Sequence, residues 1–272
     1  MIQDIKEGKL INHYEEIKPD ENSYAVVFKE GKLLCRQERE GADILLPEYD
    51  DEYVNPVYLF SIVERKYFLC EREDKPEGFD FHALNSFLSE NIKDHMNIFA
   101  AFTAYHLWRW YTDNRFCGRC GTATEYDHKE RALRCPKCGN VIYPRINPAV
   151  IIGVTNGDSI LLTKYATGFR HNALVAGFTE IGETLEETVE REVMEETGLK
   201  VKNIRYYKSQ PWGIAQDVLM GFYCDVDGDD TIKMDASELK YARWVKREDI
   251  ILQPGEYSLT NEMMKRFKEG RK

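Results

Sequence analysis

The sequence has 272 residues, 43% of them hydrophobic, which is enough for two domains or for one domain with a small accessory module. Its formal net charge of -10 and its pI near 5.3 argue against a surface built for non-specific nucleic-acid binding, which requires clustered lysine and arginine. Substrates that carry phosphate fit this charge only if metal ions mediate the contact.

The first sixteen residues, MIQDIKEGKLINHYEE, have no pattern of a secretory signal. They alternate polar and apolar residues and lack a basic region followed by an apolar core. No apolar run approaches the roughly 20 residues that span a bilayer. The sequence therefore predicts a cytoplasmic protein without a membrane partner, whose seven cysteines are mostly reduced or bound to metal.

The N-terminal part of the chain has the pattern of a mixed α/β module. Residues 24–35 and 58–70 each contain two β-rich runs around a short polar turn, which predicts two hairpins. From about Phe81 to Tyr111, apolar residues recur at three- and four-residue spacing, which predicts two helices.

Two CxxC motifs follow in a short, polar, turn-rich segment. They place four thiols at Cys117, Cys120, Cys135 and Cys138. Two such motifs bring four thiolates to one tetrahedral centre, the geometry that zinc prefers with sulfur ligands. The alternatives are redox-active dithiols or unrelated free cysteines, but redox CxxC motifs occur singly beside a βαβ unit. The spacing predicts a structural zinc, because four thiolates leave no open position for water.

The C-terminal half begins with a hairpin signal. Residues 148–154 and 159–163 are β-rich and flank Asn156-Gly157, a pair that tolerates the positive φ of tight turns. Further elements are predicted downstream: β-rich runs at 218–226 and 242–245, and a helix that begins near Thr260.

A helix crowded with glutamates is predicted between Gly182 and Gly198, where Gly198 supplies the left-handed residue that ends it. Glu192, Glu195 and Glu196 stand at i, i+3 and i+4, so their side chains share one helical face. That face borders the apolar stripe of the same helix, where carboxylates are partly desolvated and require cations or protons. Oxygen ligands of this kind suit Mg²⁺ or Mn²⁺, and the chemistry they suggest is attack of water on phosphorus with the ions neutralising a pyrophosphate leaving group.

The alternative for this segment is a solvated surface helix that is merely rich in glutamate. The spacing of the three carboxylates beside the apolar stripe and the flanking glycines favour metal binding. By the same helical geometry Glu186, Glu187 and Glu190 point away from the site, which predicts a solvated face.

Residues 177–199, GFTEIGETLEETVEREVMEETGL, match the Nudix box at every position, so the chain resembles the Nudix hydrolase superfamily. The segments FCGRCG, YPRINPAVI, AGFTE, SQPW and ELKYARW are similar to those of the NADH pyrophosphatase family, in that family's order. The resemblance implies a Nudix α/β/α sandwich with a mixed sheet, preceded by a zinc ribbon and an N-terminal mixed α/β domain. The implied domains are 1–112, 113–143 and 144–272.

The resemblance also implies roles for individual residues. Glu192, Glu195 and Glu196 correspond to the ligands of the catalytic Mg²⁺ or Mn²⁺. The main-chain carbonyl of Ala176 and the carboxylate of Glu238 are expected to complete the metal shell. The two remaining catalytic positions are Glu183 and Arg191, the pair that braces the loop and the helix.

Substrate contacts are implied in the same way. Tyr143 and Phe178 are expected to stack on an aromatic base, although each ring alone is more often a core residue. The other implied substrate-binding residues are Gln210, Pro211, Trp212, Gly213, Ile214, Ala215, Gln216, Asp217 and Thr260. After SQPW the family usually continues with Pro-Phe-Pro, any residue and Ser, whereas this chain has Gly-Ile-Ala-Gln-Asp.

The function implied by the resemblance is hydrolysis of NAD(H) to nicotinamide mononucleotide and AMP by a homodimer. The same bond cleavage on a longer substrate is the removal of an NAD cap from the 5′ end of RNA. The altered loop after SQPW leaves open another nucleoside diphosphate derivative, such as ADP-ribose. A third hypothesis is a non-catalytic ligand sensor, which the intact set of metal carboxylates disfavours.

Overall fold

A computed structural model of the protein describes residues 1–37, 43–89, 95–168 and 171–271. These residues form two compact units. The N-terminal unit comprises residues 2–146 together with 212–216, and the C-terminal unit comprises Met1, residues 147–211 and the chain from Asp217 onward. Both units combine helices with sheets, so the predicted mixed α/β class is confirmed.

The N-terminal unit contains two four-stranded sheets. Its strands are β1 (Leu10–Ile11), β2 (Ser23–Val26), β3 (Phe28–Lys29), β4 (Lys32–Gln37), β5 (Ile44–Leu45), β6 (Val54–Ile62), β7 (Arg65–Glu71) and β8 (Asp80–Ala83). One sheet has the order β1-β6-β7-β2. In the other sheet β4 pairs with each of the other three strands, β3, β5 and β8. The hairpin predicted at 58–70 is confirmed by the antiparallel pair of β6 and β7. The hairpin predicted at 24–35 is confirmed only for β3 and β4, because β2 pairs in parallel with β7.

The prediction of two helices between Phe81 and Tyr111 is wrong at its start. Residues 80–83 form β8, which pairs with β4, and a 3₁₀ helix follows at Leu84–Ser89. A short apolar run can form its backbone hydrogen bonds in a strand as well as in a helix. The spacing of apolar residues alone therefore did not distinguish a strand from a helix here. Helix α1 (His95–Asp113) is the one long helix of this segment among the residues that the structure describes, and residues 90–94 lie outside them. No helix in the described ranges is both long enough and apolar enough to span a bilayer.

The cysteine-rich segment forms a small three-stranded antiparallel sheet. Its strands are β9 (Glu125–Tyr126), β10 (Leu133–Arg134) and β11 (Val141–Ile142), with β10 in the centre. Three strands of two residues each cannot bury a core of their own, so the fold of this segment depends on another constraint.

The C-terminal unit is built on a six-stranded mixed sheet. Its elements are β12 (Asn147–Asn156), β13 (Ser159–Tyr165), β14 (Val175–Phe178), α2 (Leu185–Thr197), β15 (Val201–Trp212), β16 (Asp217–Val226), β17 (Leu239–Lys246), a 3₁₀ turn (Arg247–Asp249) and α3 (Leu259–Lys268). The strand order is β15-β16-β12-β13-β17, and β14 pairs with β12 beside β13. The predicted hairpin is confirmed: β12 and β13 join through Gly157 at φ +58°. The predicted strand at 218–226 and the helix near Thr260 are also confirmed.

Alternate side chains of β12 enter two different cores. Val150, Ile152 and Val154 pack with α2 residues, whereas Ile151 packs with α3 residues such as Met263. Because side chains of a strand alternate between the faces of a sheet, this places α2 and α3 on opposite faces. The result is the α/β/α sandwich expected from the sequence.

Candidate active site and zinc centre

Helix α2 is fixed at both ends by local chemistry. Thr184 and Glu187 form a capping box: the Thr184 hydroxyl accepts from the Glu187 N–H at 3.2 Å, and the Glu187 carboxylate accepts from the Thr184 N–H at 2.7 Å. Gly198 ends the helix in the left-handed conformation at φ +70°, as predicted. The N–H of Asp235 donates to the carbonyl of Glu196, so a neighbouring loop also holds the last turn.

Arg191 connects the helix to the loop that precedes it. Its guanidinium donates to both carboxylate oxygens of Glu183, at 2.6 and 3.0 Å, and to the carbonyl of Phe178 at 2.9 Å. The same group donates to Glu192 at 2.7 Å and to Glu195 at 3.0 Å. The hydrogen bonds from Arg191 lower the pKa of Glu183 to about 2, so this ion pair persists through the neutral range.

The three glutamates proposed as metal ligands differ in burial. Glu196 is 3% exposed, Glu192 is partly buried and Glu195 is exposed. Burial, followed by repulsion from Glu192 and Glu238, raises the pKa of Glu196 to about 8. Burial also raises the pKa of Glu192. Glu238 therefore contributes to the same negative field, although it stands 42 residues after Glu196 in the chain.

One oxygen of Glu196 has no partner in the protein. Its carboxylate accepts a hydrogen bond from the backbone N–H of Ala176, but Oε2 is buried and makes no hydrogen bond. A buried carboxylate oxygen without a donor is costly unless a cation or a proton compensates it. The residues present thus fit a divalent cation, which Glu192, Glu195 and Glu196 would hold.

The three carboxylates do not converge closely on one point. Among the described residues, the four cysteines are the only group of three or more potential metal-ligand side chains whose ligand atoms all lie within 4.8 Å of one another. Arg191 draws Glu192 and Glu195 toward itself, whereas Glu196 points into the protein. Mutual repulsion of the carboxylates and the bonds to Arg191 account for this separation.

Gly177 allows the Glu192 carboxylate to lie against the backbone of β14. A β-carbon at position 177 would be 1.9 Å from the Glu192 Cδ, well inside contact distance. Gly177 has no positive φ, so the absence of a side chain, and not an unusual backbone, is what this position requires.

The four cysteines lie together in the turns that precede β9 and that connect β10 to β11. The sulfurs of Cys117 and Cys138 are 3.6 Å apart and those of Cys120 and Cys135 are 3.5 Å apart, without disulfides. Four sulfurs about 2.3 Å from a tetrahedral zinc are separated by roughly 3.8 Å, so the cluster fits a structural zinc. The N–H of Gly121 donates to the Cys117 carbonyl at 2.8 Å, and its φ of +70° forms the tight turn of the motif.

Comparison with protein families assigns both regions. The model of the NUDIX domain matches residues 145–267, and the model of the NADH pyrophosphatase zinc ribbon domain matches residues 113–143. Residues 145–267 are therefore identified as a NUDIX domain.

Named relatives match about half of this chain. A protein named NAD-capped RNA hydrolase NudC from Enterobacter sp. (strain 638) is 43% identical over 152 residues, which cover 54% of this chain and 57% of the relative. A protein of the same name from Salmonella schwarzengrund (strain CVM19633) is 41% identical, with 54% and 58% covered. The chain thus spans less than two thirds of the length of these relatives.

A solved structure supports the Nudix fold. The crystal structure of a NUDIX hydrolase from Nitrosomonas europaea superposes with a TM-score of 0.51 at 25% identity, covering 58% of this chain and 92% of that chain.

Gln210 of the SQPW segment supports the fold from inside the C-terminal unit. Its side chain is fully buried, donates to the Tyr257 carbonyl at 2.6 Å and accepts from the Leu259 N–H at 2.7 Å. Gln210 therefore fixes the start of α3, where Thr260 is the second residue. The rings of Phe178 and of Tyr143, in contrast, are about half exposed, at 54% and 55%.

The loop after SQPW is anchored on α1 of the N-terminal unit. The ring of Trp212 lies 5.6 Å from that of Phe102, and Gln216 accepts a hydrogen bond from Arg145. At Gly213 a β-carbon would lie 1.9 Å from the Phe102 carbonyl oxygen, so any other residue, proline included, would collide with backbone. Of the remaining residues expected to bind substrate, Pro211 and Ala215 are exposed, Ile214 is partly buried and Asp217 is buried.

Two features of the site were not expected from the sequence. Tyr165, at the end of β13, has its pKa raised to about 12 by burial and by its proximity to Glu196, Glu238 and Glu192. No motif marks this tyrosine, because its place depends on the pairing of β13 with β17. The capping box of α2 was also missed, although its T-x-x-E spacing is legible in the sequence.

Proposed function

We propose that the chain hydrolyses the pyrophosphate bond of NAD(H) to nicotinamide mononucleotide and AMP, and that it removes the NAD cap of RNA by the same cleavage. The observation that carries the proposal is the combination of a NUDIX domain and an NADH pyrophosphatase zinc ribbon in one chain. The name of its relatives, NAD-capped RNA hydrolase NudC, supports the same substrate class.

The catalytic cation in this proposal is Mg²⁺ or Mn²⁺, held by Glu192, Glu195 and Glu196 with Glu238 and the Ala176 carbonyl. Such an ion, when bound, neutralises charge on the pyrophosphate oxygens and acidifies a water molecule. The buried, unpartnered Oε2 of Glu196 supports the assignment.

The protein's own residues position the reaction. Arg191 holds Glu192 and Glu195 by hydrogen bonds, so their carboxylates keep a fixed place relative to the Gly177 backbone. Glu195 is solvent-exposed and can accept a proton from an attacking water, as can Glu238. The general base is therefore one of Glu195, Glu196 and Glu238.

The substrate side of the site is proposed from exposed rings. Phe178 and Tyr143 each present about half of their surface, which suits stacking on a nucleobase or nicotinamide ring.

We propose a homodimer in the cytoplasm, with domains at 1–112, 113–143 and 144–272.

A second candidate function is hydrolysis of another nucleoside diphosphate derivative, such as ADP-ribose. The observation that favours it is the loop at 213–217, where Gly213 is required by the Phe102 backbone and Asp217 is buried. A loop of this composition presents a different surface from one with two prolines and a phenylalanine.

Product analysis tests the proposal. The purified chain is incubated with NADH, NAD⁺, ADP-ribose, FAD and NAD-capped RNA in Mg²⁺ or Mn²⁺, with chelator-treated samples as controls. We expect nicotinamide mononucleotide and AMP from NADH, and a 5′-monophosphate RNA from the capped substrate. A far higher kcat/KM for ADP-ribose than for NADH would replace the first function by the second. Binding of these ligands without turnover would favour a sensor.

A further inference from the structure

A cavity of about 160 Å³ lies within the N-terminal unit. Its walls come from residues 14–17, residues 56–58 of β6, Tyr111 near the end of α1, and residues 126–128 and 130–132 around β9 and β10. None of these residues has a role in the function proposed above. An apolar cavity of about 150 Å³ is known to accept benzene, so this volume suits a molecule with a single ring.

The walls of the cavity are largely aromatic. Tyr14, Tyr58, Tyr111 and Tyr126 line it, and Tyr58 and Tyr111 are buried. The rings of Tyr111 and Tyr126 meet edge to face with centroids 5.4 Å apart, and the Tyr14 hydroxyl donates to the Asp127 carbonyl at 3.0 Å. These contacts fix the rings before any ligand arrives, which lowers the entropic cost of binding a flat molecule.

The carboxylates in the walls already have hydrogen-bond or ion-pair partners. The four wall carboxylates each have a partner: Glu15 pairs with His13, Glu16 with His128, Glu130 with the Tyr143 hydroxyl, and Asp127 with Arg134. A cationic ligand would therefore compete with donors that the protein supplies.

Arg131 is the exception among the charged groups of the cavity wall. Its Nη2 donates to the Leu59 carbonyl, and its Nη1 is buried without a hydrogen-bond partner. In the described ranges no carboxylate lies within ion-pair distance of its guanidinium. Burial lowers the pKa of Arg131, and the hydroxyls of Tyr111, Tyr58 and Tyr14 act in the opposite direction, Tyr111 also through a hydrogen bond. A guanidinium withdrawn from water and lacking a counter-ion is costly, and its field is weakly screened inside the protein.

We propose that this cavity binds a small planar aromatic carboxylate, whose ring packs against the tyrosine walls and whose negative charge compensates Arg131. The volume sets the size at about one ring, the tyrosines favour a flat apolar body, and the unpaired guanidinium specifies the anionic group. The site is independent of the pyrophosphatase function, because none of its residues belongs to the glutamate cluster.

Benzoate and benzamide are matched probes, since they differ in charge but hardly in shape. Each is titrated into the full, zinc-loaded chain at constant ionic strength, and binding is followed by ligand-detected NMR. We expect benzoate to bind at least about tenfold more tightly than benzamide. Arg131→Met should remove that preference and leave benzamide binding within about twofold.

Two further variants keep the test decisive. Tyr126→Leu changes a half-exposed wall residue and should weaken both probes, because it removes ring contact and keeps the charge. Arg109→Met, an exposed arginine of α1 outside the cavity, should bind both probes like the parent.

Equal affinity for the two probes would overturn the proposal. So would unchanged benzoate binding in an Arg131→Met protein that retains its zinc and its Tm. If Arg131→Met does not fold, the ratio of the two probes on the parent and on Tyr126→Leu decides.

Discussion

Gly177 and Glu192 are in such close contact that a methyl group at position 177 would overlap the Glu192 carboxylate, with 1.9 Å between Cβ and Cδ. We expect Gly177→Ala to displace that carboxylate from the backbone of β14 and to lower pyrophosphatase turnover by at least about tenfold. The φ angle at position 177 is not positive, so alanine can adopt this backbone conformation and the fold should persist. Steady-state kinetics and thermal unfolding measure the two effects.

A double-mutant comparison isolates the contact. Gly177→Ala should cost less stability in a Glu192→Ala background than in the parent, because the truncated side chain no longer meets the new methyl group. Equal costs in both backgrounds would show that the two residues do not interact in this way.

Glu196→Gln changes the charge of the most buried carboxylate of the cluster and keeps its shape. We expect turnover to fall by at least about a hundredfold, because the variant loses a charged ligand of the cation that would neutralise the phosphate charge. Without divalent ions the variant should be as stable as the parent or more stable, since an unpaired buried carboxylate is removed. The matched control is Glu190→Gln on the exposed face of α2, which should retain parental turnover.

Asp217 gives a prediction about pH. It is 5% exposed, its Oδ1 has no hydrogen-bond partner, and burial raises its pKa from 3.8 to about 6. Between these two values the folded state holds a proton that the unfolded state has released, so stability falls as pH rises through this interval and is then constant. Asp217→Asn should abolish this decline and stabilise the protein above pH 6 by about 3 kcal/mol. Denaturant unfolding from pH 4 to pH 8 measures it, and a parallel decline in the variant would contradict the assignment.

The local pattern of the sequence was sufficient for the elements with strong signals. Gly198 ends α2 and Gly157 turns the β12–β13 hairpin because both need positive φ, a property that the residue type reveals. Strand β15 was not predicted. It lies at the edge of its sheet and is mostly exposed, so it lacks the alternation that identifies a half-buried strand.

The arrangement within the glutamate cluster depended on tertiary structure. Helical spacing placed Glu192, Glu195 and Glu196 on one face, but it did not indicate that Arg191 binds two of them and leaves the third unpaired. The proximity of Glu238 and Tyr165 follows from the pairing of β13 with β17, a contact between segments about 75 residues apart. No periodicity in a single sequence encodes such a pairing.

Gly213 is expected to be intolerant of substitution. In Gly213→Ala the new Cβ would lie 1.9 Å from the Phe102 carbonyl oxygen, a backbone atom that cannot move aside without shifting α1. We expect a loss of about 1 to 3 kcal/mol in stability and a change in the ratio of kcat/KM for NADH and ADP-ribose. Gly118→Ala is the control, since nothing lies within 4 Å of its new methyl group. Parental stability and specificity in Gly213→Ala would show that the loop does not pack on α1 as described.

The cysteine cluster should hold one zinc per chain, and its loss should unfold the small sheet of β9 to β11. Cys135→Ser removes one of four thiolates, and a three-thiolate site binds zinc more weakly. We expect zinc content to fall below half an equivalent, with a lower Tm and early proteolysis between residues 113 and 143. Cys70→Ser is the matched control, because Cys70 is a buried thiol outside the cluster and its replacement should leave zinc content at one equivalent. Elemental analysis of both variants decides, and a parent protein with intact thiols and less than half an equivalent of zinc would exclude the structural zinc altogether.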